Sequence, residues 1–346
     1  MGEMDEAGSG SRVKLLRSQR IYLPLLCLIG LLVAPVLAAG NPFLMHVLIM
    51  SLFYAFLGTA WNIVGGYVGL VSLGHAAYFG LGAYISTLAF LNFGVTPWLG
   101  ILLAAVGATF FGFAIGVPSI RFWGGGAFFC VVSIAFAETL RLVFLGLKIG
   151  GGSAGTLLPI VPSFVNFEFE SKLPYYFIIL GFLVVELLVL QRISVSKMGH
   201  YLVAIREDEV KAEAVGIDTR KYKLLAIGLS AFFTAIGGVF YAQYVLYFDP
   251  YTVFGLNLSI FIVLVATVGG RGTILGPVLG SFIITPISLY SNVILGGSTF
   301  QGLSQVVYGV LLILIVLTVP AGLMALVTKA LGSVTPSEKD FHKGEN

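Results

Sequence analysis

The sequence predicts an all-α, polytopic membrane protein with about ten transmembrane helices. The first observation is composition: 58% of the 346 residues are hydrophobic, only 10% are charged, and the mean hydropathy is +1.00. Soluble domains carry about 25% charged residues, so this chain cannot cover a water-exposed surface. The second is that the apolar runs are continuous rather than alternating, which indicates helices and excludes a β-barrel. The third is one long polar interruption, residues 192–222.

Ten apolar runs approach the length of about 20 residues that crosses the hydrocarbon core of a bilayer. Three of them contain Gly or Pro or are short, and we expect these to form broken helices packed closely by glycine. The ten runs are Ile21–Ala39, Phe43–Val64, Gly74–Asn92, Trp98–Ser119, Gly126–Gly146, Pro174–Leu190, Lys223–Leu246, Gly255–Gly269, Thr273–Leu295 and Leu303–Pro320. The first is longer than the apolar core of a signal peptide, about 7–15 residues, so we expect it to be retained.

The distribution of basic residues predicts the orientation of the helices. If the N-terminus lies inside and ten spans alternate, 16 of the 19 Lys and Arg residues lie on the cytoplasmic side. Only Lys148 and Lys172 lie outside, and Arg141 lies within a span. This bias is the one expected from the positive-inside rule, so both termini are predicted to be cytoplasmic. The chain then divides into a polar N-terminal segment (1–20), a transmembrane domain (21–327) with a cytoplasmic loop (192–222), and a polar cytoplasmic tail (328–346).

The cytoplasmic loop is predicted to contain one short amphipathic helix, Ala204–Val215. Three acids stand at its start, where they favour the positive end of the helix dipole. Glu207 and Lys211 are spaced to form an ion pair, and Gly216 is a suitable stop. Two interpretations stay open: a solvated connector on the bilayer surface, or a helix that docks on a protein. The acidic start and the small apolar residues favour a protein groove over lipid.

Polar residues inside the predicted spans are the candidates for a translocation path. Glu138 and Arg141 can neutralise each other at a spacing of three residues, either beside a path or as a structural pair between helices. Asn62 and Ser72 flank the segment Gly65–Gly74, which is too rich in glycine for a regular helix. Irregular backbone at membrane depth is tolerated only inside protein or beside a water-filled cavity. His75 is expected to be a packed, hydrogen-bonded residue.

A second glycine segment, Gly269–Gly272, repeats this pattern late in the chain and indicates an internal duplication. The four histidines are scattered, and the sequence contains neither a metal-ligand cluster nor a nucleophile motif. It also contains no phosphate-binding G-x-x-x-x-G-K-[ST] motif. We therefore expect a transport protein and not an enzyme, with no cofactor and no metal in this chain, and no nucleic-acid partner.

Four segments resemble those of LivM-type permeases, which are membrane subunits of ABC importers for branched-chain amino acids and related solutes. The cytoplasmic loop carries AIREDEVKAEAVGI at Ala204–Ile217, and an early glycine-rich motif, GLVSLGHAAYFGLGAY, spans Gly69–Tyr84. The other two are AFAETLR at Ala135–Arg141 and VGGRGTILGP at Val268–Pro277. The similarity runs from about Phe43 to Leu323, and the four motifs follow one another in the family's order.

The resemblance implies an importer in the cytoplasmic (inner) membrane of a bacterium or archaeon. It implies four kinds of contact: a second permease subunit in a heterodimer, two cytoplasmic ATPase subunits that bind the ATP, an extracytoplasmic solute-binding protein, and membrane lipid. The implied solute is a small amino acid, of the branched-chain type, and the loop helix would transmit the ATPase motion.

Two sets of site residues follow. The residues predicted to couple to the ATPase are Arg206, Glu207, Asp208, Glu209, Lys211, Glu213, Ala214 and Gly216. The candidate path residues are Asn62, Gly69, Ser72, Glu138, Arg141 and Gly270.

Two alternatives to this function stay open. The first is a permease of the same family that carries urea or short amides. The second, from a different class, is a self-sufficient channel or an ion-coupled secondary transporter. It would need a carboxylate relay or an ion site between broken helices, and solute flux through the isolated chain would favour it.

Overall fold

The computed structural model describes residues 30–35, 38, 40–123, 126–147, 150–295, 309–310 and 322–330. The predicted N-terminal segment lies outside these residues, as do most of the first and last predicted spans and most of the tail. Contacts divide the chain into two units, Val47–Met324 and the two terminal parts, Met1–His46 with Ala325–Asn346. All site residues considered below belong to the first unit.

The described residues are predominantly helical. The helices are α1 (Pro42–Asn62), α2 (His75–Phe93), α3 (Pro97–Trp123), α4 (Ala127–Gly146), α5 (Leu173–Ser194), α6 (Lys197–Glu207), α7 (Glu209–Ala214), α8 (Thr219–Val245), α9 (Pro250–Val253), α10 (Leu256–Gly270), α11 (Gly276–Leu295) and α12 (Leu323–Ala330). A 3₁₀ turn, Gly152–Ala154, lies in the loop after α4.

Seven helices in the described part of the chain are long and apolar enough to cross a membrane. They are Pro42–Val68, His75–Phe93, Pro97–Arg121, Phe128–Gly146, Leu173–Ser194, Thr219–Val245 and Pro250–Gly270. Each corresponds to one of the ten predicted runs, with ends that differ by a few residues. Helix α11 follows the predicted run Thr273–Leu295 from Gly276 onwards.

The glycine segment after α1 has the irregular backbone that the sequence predicts. Helix α1 continues into a π-helix, Ile63–Val68, which ends at Gly69 with a left-handed φ of 82°. The next residues form no regular structure until α2 begins at His75. The π-helix is entirely buried, which fits the rule that irregular backbone at membrane depth is enclosed by protein.

A small antiparallel sheet joins two loops at one end of the bundle. Strand β1 (Thr156–Leu157) pairs with β2 (Tyr247–Phe248), with Thr156 opposite Phe248. The distribution of basic residues predicts that both loops lie on the outer side of the membrane, and the strand pairing agrees that they share one side. We call this the outer end, and the opposite end, which carries residues 192–222, the loop end.

Helix α8 begins four residues earlier than predicted because its N-terminus is capped by an acid. The Asp218 carboxylate accepts a hydrogen bond from the Lys221 backbone N–H at 3.1 Å. Such a cap satisfies a free N–H group of the first turn, and the helix therefore extends out of the apolar run into the polar loop.

Helices α2 and α8 cross with backbone in contact, and glycine makes this approach possible. A Cβ at Gly238 would lie 2.0 Å from the Phe79 carbonyl oxygen, and one at Gly82 would lie 2.2 Å from the Ala235 carbonyl oxygen. Small residues of this kind allow close packing between helices where lipid removes the usual hydrophobic drive. The crossing fixes α8 at the centre of the bundle.

We expect Gly238→Leu to destabilise the protein strongly, since overpacking typically costs about 1–3 kcal/mol and here the side chain meets backbone that cannot rotate away. Thermal unfolding in detergent and the yield of membrane-inserted protein measure the effect. Gly181→Leu on α5 is the matched control, because a Cβ at Gly181 meets nothing within 4 Å. Equal stability of the two variants would contradict the assigned helix crossing.

Candidate coupling site

The loop between α5 and α8 forms two helices instead of the single helix predicted over Ala204–Val215. The break is Asp208, whose backbone is extended with φ −161° and ψ 105°. Its carboxylate accepts a hydrogen bond from the Lys211 backbone N–H at 3.1 Å and pairs with the Lys211 ammonium at 3.0 Å. Asp favours this capping position over a helix interior, so the prediction was wrong in joining α6 to α7. The same contacts lower the pKa of Asp208, first through the Lys211 N–H.

The predicted ion pair between Glu207 and Lys211 is also absent from these two helices. Because Asp208 starts a new helix, the two residues no longer share a helix face. Glu207 instead accepts a hydrogen bond from the neighbouring Arg206 at 2.7 Å, and Lys211 pairs with Asp208. The predicted stop at Gly216 is confirmed, with a left-handed φ of 86° and a hydrogen bond from the Ile217 N–H to the Ala212 carbonyl.

The apolar residues of the loop separate into a buried and an exposed set. Ile205 and Ala212 are 4% and 3% exposed, so they fasten the helices to the protein. Val210 and Val215 are 76% and 77% exposed, and Ala214 is exposed beside them. We call Val210, Ala214 and Val215 the outer face of the loop. It is this set, and not Ile205 or Ala212, that is available to a partner.

Arg206 connects the loop to the irregular end of α1. It stands at the end of α6, and its Nη1 donates to the carbonyl oxygen of Gly66 in the π-helix at 2.9 Å. A glycine on each side leaves room for the arginine side chain. A Cβ at Gly69 would lie 2.9 Å from Arg206 Cγ, and one at Gly272 would lie 2.6 Å from Arg206 Nη1.

Asn62 joins the same place to the turn between α10 and α11. Its Nδ2 donates to the Thr273 carbonyl at 2.8 Å, and its Oδ1 accepts from the Gly272 N–H at 2.8 Å. The side chain is buried, and both ends of its amide are satisfied. Arg206, Gly66, Asn62 and Gly272 therefore form one connected group, which we call the loop-end junction.

A second set of contacts ties α7 to the first turn of α8. Lys223 is 2% exposed, and its ammonium pairs with Glu209 Oε1 at 2.5 Å. The Thr219 hydroxyl donates to Glu213 Oε1 at 2.6 Å. A charge buried to this degree is stable only when paired. Displacing α7 must therefore also displace the start of α8.

Ser72 and His75 lie in a hydrogen-bonded network close to the junction. The His75 ring contacts the Ser72 hydroxyl at 3.1 Å and the Ser230 hydroxyl at 2.8 Å. Ser230 donates to the Ala60 carbonyl, so His75 Nε2 carries the proton that Ser230 accepts. The expectation of a packed, hydrogen-bonded histidine is confirmed, and the network joins the start of α2 to α8.

Glu138 and Arg141 lie on α4, away from the junction. Their ion pair forms as predicted, with Arg141 Nε donating to Glu138 Oε2 at 2.8 Å. The guanidinium also lies 4.8 Å from the ring centroid of Tyr251. The Glu138 side chain is 49% exposed and that of Arg141 is 19% exposed. A role on the path stays a prediction for both.

The structure thus brings together the predicted residues Arg206, Asn62 and Gly69. Gly270 lies at the end of α10, and its backbone has a positive φ of 128°. The sequence-based prediction missed the partners: Gly66, Gly272, Thr273, Lys223 and Ser230. Three of them lie within or beside the glycine motifs, and that was their only signal in the sequence. The arrangement can transmit a displacement from the loop to α1, α8 and α10, and it contains no reactive group.

The sequence profile of the family described as "Branched-chain amino acid transport system / permease component" matches residues 43–316. The LivM permease protein of the Escherichia coli high-affinity branched-chain amino acid system is 27% identical over 300 residues, which cover 76% of this chain and 69% of LivM. A probable LivM of Methanocaldococcus jannaschii is 25% identical, covering 78% and 90% of the two chains. The LivH permease protein of Salmonella typhimurium is 27% identical, covering 78% and 91%.

Proposed function

The chain belongs to the family of branched-chain amino acid transport system permease components, and we propose that it imports a branched-chain amino acid across the inner membrane under the drive of ATPase subunits. In this proposal the chain pairs with a second permease subunit. Two ATPase subunits bind on the cytoplasmic side, and an extracytoplasmic protein delivers the solute. The chain has no phosphate-binding motif of its own, so in this proposal the energy of ATP hydrolysis is transmitted to it through its contact with the ATPase subunits.

The observation that carries the proposal is the double attachment of the loop. Through Arg206 it holds the Gly66 carbonyl in α1, and through Glu209 it holds Lys223 in α8. A solvated connector would need neither contact. A loop that pushes on the bundle needs both, because force is carried by contiguous packed and hydrogen-bonded groups.

The outer face of the loop is the proposed ATPase contact. Val210 and Val215 project beyond the buried part of the loop, and the charged side chains Glu207 and Lys211 flank them. Glu207 is 68% exposed and Lys211 is 84% exposed. Apolar residues with a charged rim are the usual composition of a protein interface. A bilayer-surface helix would instead carry large apolar anchors on a basic helix.

We propose the following transport step. Closure of the ATPases moves α6 and α7 together, since Asp208 joins them. Arg206 then displaces the π-helix of α1, and Asn62 transmits this displacement to the turn between α10 and α11. Lys223 moves the start of α8 at the same time. The glycines at positions 66, 69 and 272 give the backbone the freedom that such a movement requires.

Uptake in vesicles tests the proposal. The chain is reconstituted with its partner permease and ATPase subunits and the binding protein, and labelled leucine, isoleucine and valine are supplied with or without internal ATP. We expect saturable uptake that requires ATP hydrolysis by the partners. Urea and acetamide serve as comparison solutes. Uptake of urea in place of leucine would refute the proposed substrate, and leucine flux through the chain alone would refute the ATP-driven mechanism.

A further inference from the structure

A cavity of about 310 Å³ lies between α1, α2, α8, α10 and α11. Thr252 of α9 also lines it, and because α9 directly follows strand β2, the cavity lies in the half of the bundle nearer the outer end. Its volume is at the lower end of the range for small-molecule sites, about 300–1,000 Å³. None of the six candidate path residues lines it. The cavity is therefore a site that the sequence did not indicate.

Aromatic rings form the buried side of this cavity. Phe53 on α1 and Phe79 on α2 are each 1% exposed, and their ring centroids are 5.9 Å apart. The rings of Tyr54 on α1 and Phe261 on α10 are in contact, with their centroids 4.4 Å apart. The Tyr241 ring packs against Phe79 at a centroid distance of 5.4 Å. Together these rings offer an apolar surface to which an aliphatic side chain can bind.

The rest of the lining combines hydroxyl and amide groups with the apolar side chains of Met50, Leu258 and Leu289. Thr252, Asn257 and Asn292 are exposed and stand at the outer rim. Two further hydroxyl groups come from α11. Ser288 lies between this rim and the aromatic rings, and Thr285 is fully buried, one turn before Ser288 on the helix. The described residues that line the cavity include no Asp, Glu, Lys or Arg. A ligand with a net charge would lose its hydration here without gaining an ionic partner.

Two helices that line the cavity, α1 and α10, also end at the loop-end junction. Tyr54 stands eight residues before Asn62 on α1, a distance of about 12 Å along a helix. Phe261 stands nine residues before Gly270 on α10. Both residues are thus fixed to the helices whose ends Asn62 joins. A displacement of the junction moves these two rings, which contact each other in the cavity wall with their centroids 4.4 Å apart.

We propose that this cavity is a transient binding site for the solute inside the membrane, and that it accepts molecules of zero net charge with an aliphatic side chain. The proposal rests on the proposed function and adds the site and its selectivity. The aliphatic part binds against the aromatic rings, and the polar head group faces the hydroxyl and amide rim. Cationic and anionic amino acids are rejected here, even when a binding protein presents them.

Photolabelling of the wild-type complex tests the location and the selectivity. The probe is a leucine analogue with a diazirine in its side chain, and the labelled peptides are mapped by mass spectrometry. We expect labels in the segments around Tyr54, Phe261 and Ser288, with protection by excess leucine and none by excess lysine or glutamate. Labels confined to other segments, or equal protection by lysine, would overturn the proposal.

A cavity-filling variant tests the use of the site in transport. Ser288→Trp places an indole in the cavity and should reduce leucine uptake by about tenfold or more, given that one methylene in an apolar pocket already changes specificity by about tenfold. Ile283→Trp on the same helix is the control, because Ile283 is 39% exposed. Its uptake should match wild type, and both variants must assemble with the partner subunits.

Uptake by wild type and by the two variants distinguishes an error in the proposed function from an error in this inference. If wild-type complex takes up no leucine, the proposed function is wrong. If wild type transports leucine and the two tryptophan variants, equally well assembled, transport at the same rate, the cavity is not on the path and this inference is wrong.

Discussion

Replacing Val210 and Val215 together by aspartate is expected to abolish ATP-driven uptake while leaving the chain folded in the membrane. Both side chains are more than three-quarters exposed, so the change removes no internal contact. Buried apolar residues at the centre of an interface carry most of its binding energy. Two new carboxylates there would have to be desolvated without partners, which costs several kcal/mol each. We expect the ATPase subunits to dissociate.

Co-purification and uptake measure this result. The matched control is Val195→Asp, because Val195 is 72% exposed and lies in the same polar segment but outside α6 and α7. It should retain both the ATPase subunits and leucine uptake. If the double variant keeps its ATPase subunits and its uptake, the outer face of the loop is not the contact, and the interpretation of this segment as a surface connector gains support.

Arg206→Ala is expected to uncouple ATP hydrolysis from transport. The ATPase contact on the outer face stays intact, so hydrolysis should continue. The link to Gly66 is lost, and a hydrogen bond from a charged donor is worth about 1.5–3 kcal/mol, or roughly a tenfold to hundredfold change in a conformational equilibrium. Arg206 is 34% exposed, which favours the lower end of this range. Leucine transported per ATP hydrolysed is the quantity to measure.

Two controls separate this result from a general loss of charge. Arg220→Ala removes another arginine from the same segment, one that is exposed, and should leave the ratio unchanged. Arg206→Lys keeps the charge but loses the planar guanidinium, so it should restore the ratio only in part. Loss of hydrolysis and transport in equal proportion would instead mean that Arg206 acts at the ATPase contact itself.

Much of the architecture could be predicted from the sequence because lipid imposes simple rules. Apolar run length predicted the spans, and the seven helices that meet the length and hydropathy criteria coincide with predicted runs. The glycines after Asn62 predicted irregular backbone, and the π-helix bears this out. The predicted helix ends were less accurate where a single acidic residue caps the helix. Asp218 extends α8, and Asp208 divides the loop helix, because each carboxylate caps a free N–H group.

The site was predicted only in part because its contacts join distant positions. Arg206 was assigned to the loop from its neighbours in sequence, but its hydrogen bond reaches Gly66, 140 residues away. Asn62 contacts residues more than 200 positions later. No periodicity in the sequence predicts such pairs. The sequence shows each glycine, but it does not show which side chain packs against that glycine. The aromatic residues of the cavity look in sequence like ordinary core residues, since only the fold brings them to one side.

A disulfide that replaces the Arg206 contact tests transmission through the loop-end junction most directly. A Cβ built at Gly69 lies 3.6 Å from Arg206 Cβ, within the separation of about 3.5–4.5 Å that a disulfide spans. The variant Gly69→Cys/Arg206→Cys, in a Cys27→Ser/Cys130→Ser background that removes both native cysteines, is assayed in the assembled complex before and after oxidation. The account predicts a low ratio of leucine transported to ATP hydrolysed when the pair is reduced, and recovery of that ratio once the bond forms. The same ratio in both states, or a further fall on oxidation, would contradict it.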